Sequence, residues 1–138
     1  MSGSLALAIA GAAQTLADKS PTARLDAELL AGHLLGLERN DMLLRMRDLD
    51  APDGLAALVN RRAKGEPIAY ITGSAEFWSL PLIVTPDTLI PRPDSETLIE
   101  AAAKAFMDRD PPACILDLGT GTGALLAAAL TLFPRAAG

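Results

Sequence analysis

Three glycines at alternate positions, Gly119, Gly121 and Gly123, interrupt an apolar stretch running from Ile115 to Leu126. Glycine adopts backbone conformations closed to other residues and admits a ligand to the main chain where a Cβ would collide. The apolar run Ala113 to Leu118 reads as a buried parallel strand, and the Ala/Leu-rich run after Gly123 as a helix. A helix beginning at such a bend offers its free N–H groups and positive dipole end to whatever occupies the bend. The chemistry on offer is the binding of a small-molecule cofactor, with a purely structural turn as the alternative. Asp117, two residues before the first glycine, has two roles open to it: contact with the ligand, or hydrogen bonds to the loop's own N–H groups.

The loop Gly119-Thr120-Gly121-Thr122-Gly123-Ala124 satisfies two templates. It fits the dinucleotide fingerprint Gly-x-Gly-x-x-Gly/Ala. It is also similar to the loop of S-adenosylmethionine (SAM) methyltransferases, in which an acid stands two residues before Gly-x-Gly-x-Gly. No Gly-Lys-Ser/Thr follows, so it is not a P-loop. A dinucleotide fold would carry a ribose-holding acid about 20 residues further on, past the last residue, Gly138. The loop alone does not choose the cofactor.

The elements that must position this loop come earlier in the chain. Half of the 138 residues are apolar and aromatics are few, which favours a packed, helix-rich domain. The net charge of -5 argues against a free-standing nucleic-acid binder, which needs a basic face. Cys114 is the single cysteine, so a disulfide framework is excluded and a reducing compartment fits. The apolar run Leu5 to Ala13 lacks the basic flank of a signal peptide, and Leu5, Ile9, Ala12 and Leu16 fall at helical spacing. No run reaches membrane-spanning length, and the expected location is the cytoplasm.

Residues 1–72 read as a bundle of short helices. Ser20 as N-cap and Pro21 at the first turn start the second helix, whose stripe is Leu25, Leu29, Leu30, Leu34 and Leu37 and whose stop is Gly36. A shorter helix starts at Asn40-Asp41, and another opens at Pro52 with Leu55, Leu58 and Val59 inward. Arg61, Arg62 and Lys64 form a solvated helix end before Gly65. His33 has no metal-ligating neighbour and takes a packing or helix-edge role, and no metal site is expected. The four methionines fill core gaps. Pro67 to Gly73 is a helical turn or an extended link. Residues 73–92 form a linker: a hairpin from Glu76–Leu80 and Leu82–Thr85 about Ser79-Leu80-Pro81, then a loop stiffened by Pro86, Pro91 and Pro93. Residues 93–138 supply a helix with Leu98, Ile99, Ala102 and Phe106 on one face, then the strand, the loop and a last helix. Phe133-Pro134-Arg135 reads as the approach to a second strand.

Taken together, Gly65-Glu-Pro-Ile-Ala-Tyr-Ile-Thr-Gly73, Glu76-Phe77-Trp78, Leu89-Ile-Pro-Arg-Pro-Asp-Ser-Glu96 and Ile115-Leu-Asp-Leu-Gly-Thr-Gly-Thr-Gly123 resemble the HemK/PrmC family. Arg24-Leu-Asp-Ala-Glu-Leu-Leu30 is similar to that family's helical N-terminal domain, so the resemblance covers nearly the whole chain. Ser95 stands where the family more often has Thr. The family methylates the glutamine of the Gly-Gly-Gln motif in class 1 peptide chain release factors, with SAM as donor. By resemblance, Gly119 to Gly123 and Asp117 serve the SAM site, the loop of Ile90, Pro91, Arg92 and Pro93 lies over the cofactor, and Phe77 packs nearby. Arg92 and Glu96 either join the site or form a local ion pair at the helix start. The helical domain would help dock the release factor.

The fold class these readings imply is α+β: a helical bundle, a β-hairpin linker, and the first helix–strand–helix of a Rossmann-like SAM-dependent methyltransferase domain, truncated at Gly138. The family's Asn-Pro-Pro-Tyr motif, which receives the substrate glutamine, lies beyond that point, so no catalytic residue is assigned within the chain. A lone strand apolar on both faces expects neighbours. Residues 93–138 should therefore pack on the bundle, pair with another chain in self-association, or be poorly ordered. Three functions stay open: the N-terminal portion of a release-factor methyltransferase, a docking module without catalysis, or a methyltransferase for another protein.

Overall fold

The computed structural model describes residues 3–138, which divide into two compact units, one ending at Thr72 and the other running from Gly73 to Gly138. The first is all helical: α1 (Leu5–Leu16), α2 (Ala23–Leu35), α3 (Arg39–Leu44), α4 (Leu55–Ala63) and the single turn α5 (Ile68–Thr72). Leu5, Ile9, Ala12 and Leu16 of α1 are all buried, as their spacing requires. They pack with Leu30, Met42, Leu55, Val59 and Ile71 in one core. Backbone hydrogen bonds from Leu5 to Leu49 (3.1 Å) and from Ala51 to Gly3 (2.8 Å) tie the start of α1 to the segment after α3.

The second helix departs from its sequence reading. It begins at Ala23 rather than Pro21, after Thr22. Ser20 does not cap it from the N-cap position; its buried hydroxyl donates to Asp26 Oδ2 at 2.6 Å. Leu25, Leu29 and Leu34 are over a third exposed, whereas Asp26, Ala27, Glu28, Leu30 and Ala31 are buried. The small side chains Ala27 and Ala31 let α2 approach its neighbours closely, and the two acids enter with arginines as partners. Gly36 ends the helix in the left-handed conformation (φ 64°), as expected of a C-terminal glycine. Arg62 is not part of a solvated helix end. Its Nε donates to Asp26 Oδ2 at 2.7 Å, whereas Arg61, paired with Glu66, and Lys64 stay at the surface. Exposed His33 stands at the end of α2, in a helix-edge role.

The second unit opens with an antiparallel hairpin, β1 (Ser74–Phe77) and β2 (Leu80–Ile83), in the register Phe77↔Leu80 and Ser74↔Ile83. The turn is Trp78-Ser79, not the expected Ser79-Leu80-Pro81; Pro81 is accommodated inside β2, which has only one pairing partner. A 3₁₀ turn (Pro93–Ser95) leads into α6 (Glu96–Ala105), and α7 (Ala124–Leu132) follows the glycine loop. Phe77, Ile99, Ala124 and Ala128 form the core of this unit, and Phe106 meets Phe133 edge-on at 5.3 Å. Leu98, expected on the inner face of α6 with Ile99, is 59% exposed.

Residues 113–118 do not form the expected strand. They make one parallel bridge, Cys114↔Ala137, with Ile115 donating to Ala137 (2.8 Å) and Ala137 to Ala113 (2.9 Å). The chain after Phe133 returns beside this segment as a single bridge at Ala137, not as the second strand its sequence suggested. Only one face of the segment is covered: Ile115 and Asp117 are half-buried, whereas Leu116 and Leu118 are 80% and 84% exposed. No helix among the described residues is long and apolar enough to cross a membrane.

Candidate cofactor-binding site

The glycine loop folds as its composition demands. Gly119, Gly121 and Gly123 all take left-handed backbone angles (φ 72°, 56° and 79°). A Cβ built on any of the three would meet nothing within 4 Å, so the chain needs glycine here for conformation, while the space over the loop stays open. Asp117 Oδ2 accepts from Thr120 Oγ1 at 3.1 Å, and Gly123 donates to Thr120 O at 2.9 Å. Asp117 thus braces the bend from beneath. Gly123 is the left-handed N-cap of α7, and no side chain caps that helix, so its first N–H groups face the bend without a side-chain partner.

Over this loop lies a cavity of about 440 Å³, within the range that holds a small organic ligand. Gly119, Thr120, Gly121 and Thr122 form one wall, Pro91 and Arg92 another, and buried Phe77 the apolar end. Of the sequence-derived candidates, these seven and Ile90 meet around one space. Asp117, Gly123 and Glu96 do not line it. Glu96 instead accepts a hydrogen bond from Trp78 N at 2.8 Å, and among the described residues it forms no ion pair with Arg92.

Asp87, Thr88 and Leu89 also line the cavity and were given no role from the sequence, and Ser95, noted there only for replacing the family's Thr, lines it too. The proline spacing around them was the one signal available, since a stiff loop projects the residues it carries to a fixed place. The arrangement suits a ligand with a polar, hydrogen-bonding part for the loop and an apolar ring for Phe77. A slightly larger hollow of about 490 Å³ lies between α1 and α4, lined by residues such as Leu7, Ala8, Leu55 and Val59. Thr15 and Asn60 are its only polar side chains and none of its lining residues is charged, so the glycine-loop cavity, with Arg92, Asp87 and the threonines of the bend, is the better candidate. Among the described residues no group of His, Cys, Asp and Glu could hold a metal ion.

The first unit holds the strongest electrostatics, and they are structural. Burial pushes the Asp26 carboxyl up, but hydrogen bonds from Ser20, Arg62 and Thr22 outweigh it and hold the group below its ordinary value. Glu28 behaves alike: burial raises it, and Arg24 and Arg39, both at 2.7 Å, bring it below the usual range. Among the described residues every buried side-chain polar atom has a hydrogen-bond partner.

In the second unit a glycine bend, a helix start and a proline-stiffened loop meet around one open cavity, a candidate small-molecule site; a separate helical unit precedes it in the chain. Residues 8–73 match the family described as the PrmC N-terminal domain. The chain is 47% identical to the release factor glutamine methyltransferase of Haemophilus influenzae, over 91% of its own length and 47% of the relative's. It is 49% identical to the protein of the same name from Escherichia coli, over 81% of this chain and 40% of the relative. The Coxiella burnetii relative, with the same name, is also 49% identical, over 81% and 41%. The similarity to the PrmC N-terminal domain family thus lies in residues 8–73, and the chain spans less than half the length of the curated relatives it matches.

Proposed function

We propose that the chain is the N-terminal portion of a protein-(glutamine-N5) methyltransferase acting on the Gly-Gly-Gln motif of class 1 peptide chain release factors in the cytoplasm, with SAM as methyl donor. The observation that carries this reading is the convergence of Phe77, Pro91, Arg92 and Gly119 to Thr122 on one cavity, in a chain whose relatives are named release factor glutamine methyltransferases. Bound SAM would supply an electrophilic methyl group. The loop's N–H groups would hold its polar part, Phe77 would pack on its apolar part, and Arg92 and Asp87 would orient it at the rim. Residues 1–72 would serve substrate docking, 73–92 the link, and 93–138 the opening of a Rossmann-like SAM-binding domain. The parallel bridge across α7 supports that last assignment.

An amide nitrogen is a poor nucleophile because its lone pair is delocalised into the carbonyl, so the transfer depends on holding that nitrogen in line with the breaking methyl–sulfur bond. We assign no residue of this chain to that task and infer that the 138 residues alone are inactive. Incubation with SAM and a release factor, followed by mass measurement, should show no added methyl group; a single methyl added by this chain alone overturns the inference. Calorimetry with SAM should show weak or absent binding, and a micromolar constant would show that the loop suffices.

A second reading, a release-factor-docking module without catalysis, is favoured by the self-contained core of residues 3–72. Methylation of a different protein is a more distant option. Capture of a release factor by the chain, without methyl transfer, would favour the docking reading. We also propose that exposed Leu116 and Leu118 support self-association through the uncovered face of residues 113–118.

A further inference from the structure

We propose that Glu96 is a positioning residue: its carboxylate locks the Trp78–Ser79 turn and thereby holds Phe77 in the wall of the cavity. Trp78 and Ser79 lie at φ 51° and 59°, both in the left-handed region. The register Phe77↔Leu80 makes them the two central residues of a hairpin turn of the mirror-image kind, which ordinarily takes Asn-Gly or Gly-Gly. A bulky tryptophan at positive φ is unfavourable on its own, so the turn depends on a partner outside the hairpin. That partner stands 18 residues on. Glu96 Oε1 accepts from Trp78 N at 2.8 Å, a charge-assisted bond to a donor that a two-residue turn leaves outside the ladder.

The second half of the linkage is apolar. Ile99 lies three residues beyond Glu96, on the same face of α6, and packs in the cluster that contains Phe77 and Ala124. Phe77 is 1% exposed and lines the candidate site. One face of α6 therefore holds the hairpin twice, through a carboxylate on the turn backbone and through Ile99 in the apolar cluster that contains Phe77. The turn lock stands without any ligand; only its consequence for a cofactor rests on the reading proposed above.

The test compares Glu96→Ala, Glu96→Gln and Ser79→Gly in the 138-residue chain. Trp78 is the single tryptophan, so its emission reports this turn alone. In Glu96→Ala, the Trp78 amide should exchange with solvent about tenfold faster and the emission should move to the red. The amides of Val84 and Ala127, bonded to Gly73 O and Gly123 O, should keep their rates. Nuclear Overhauser contacts from the Phe77 ring to the Ile99 and Ala124 methyls should weaken. Glu96→Gln, which keeps an acceptor oxygen, should restore most of this. With Ser79→Gly, whose glycine tolerates the left-handed angle, the effect of Glu96→Ala should shrink to less than about threefold. Unchanged Trp78 exchange in Glu96→Ala overturns the lock, and faster exchange with Phe77 contacts intact overturns the positioning role. Equal acceleration at Val84 and Ala127 would mean general loosening and also overturns it. These readouts need no ligand, so they stay decisive whether or not the 138-residue chain binds SAM.

Discussion

Replacing Arg62 with Met should destabilise the helical unit by about 2–3 kcal/mol at neutral pH. Methionine keeps most of the apolar stem and removes the guanidinium. The Asp26 side chain is 6% exposed and that of Arg62 19%. Stripping one partner from a fully buried pair costs about 3–5 kcal/mol, because the other charge stays behind unpaired. Two features lower the figure here: Asp26 keeps its hydroxyl donors Ser20 (2.6 Å) and Thr22 (3.0 Å), and Arg62 is not wholly excluded from water. For a unit of this size each kcal/mol moves the melting temperature by about 4–8 °C, so thermal unfolding followed by circular dichroism should fall by about 10–20 °C. The pH dependence has a defined sign. In the native protein Asp26 titrates below its usual value, so its stabilisation is present above the unfolded pKa of about 3.9 and is lost as pH falls through the folded value. In Arg62→Met the burial effect is less opposed and the carboxyl titrates higher, so protonation relieves the penalty sooner. The gap between the two proteins should therefore narrow below about pH 5. A gap under about 0.5 kcal/mol at neutral pH, or one constant from pH 7 to about pH 4, refutes the reasoning.

Glu28→Ala should cost less, about 1 kcal/mol in chemical denaturation, because the arginines it frees are 54% and 41% exposed and return to water; a loss as large as that of Arg62→Met would contradict this. Gly121→Ala should lower stability by only about 1–2 kcal/mol, the left-handed penalty alone, since nothing lies within 4 Å of the added Cβ; a larger loss would show a hidden clash. Leu116→Lys combined with Leu118→Lys should abolish concentration-dependent association in sedimentation equilibrium. A native chain that is monomeric throughout would show that the uncovered face does not pair.

Local patterning alone determined much of this protein. The spacing of Leu5, Ile9, Ala12 and Leu16, the stop at Gly36 and the bend at Gly119 to Gly123 are set within a few residues of themselves, by helical period and by the angles only glycine takes freely. The family motifs, being short and in fixed order, were equally visible. Tertiary structure decided the rest, since those outcomes depend on partners distant in sequence. Asp26 is buried because Arg62, 36 residues away, neutralises it, and that pairing turned Leu25 and Leu29 outward against their stripe. The hairpin turns at Trp78-Ser79, against local preference, where Glu96 supplies an acceptor. Residues 113–118 have strand composition, yet a ladder needs neighbouring strands, and among the described residues their one backbone bridge is to Ala137. The cavity likewise exists only where the hairpin, the proline loop and the glycine bend converge, a convergence that no single stretch of sequence encodes.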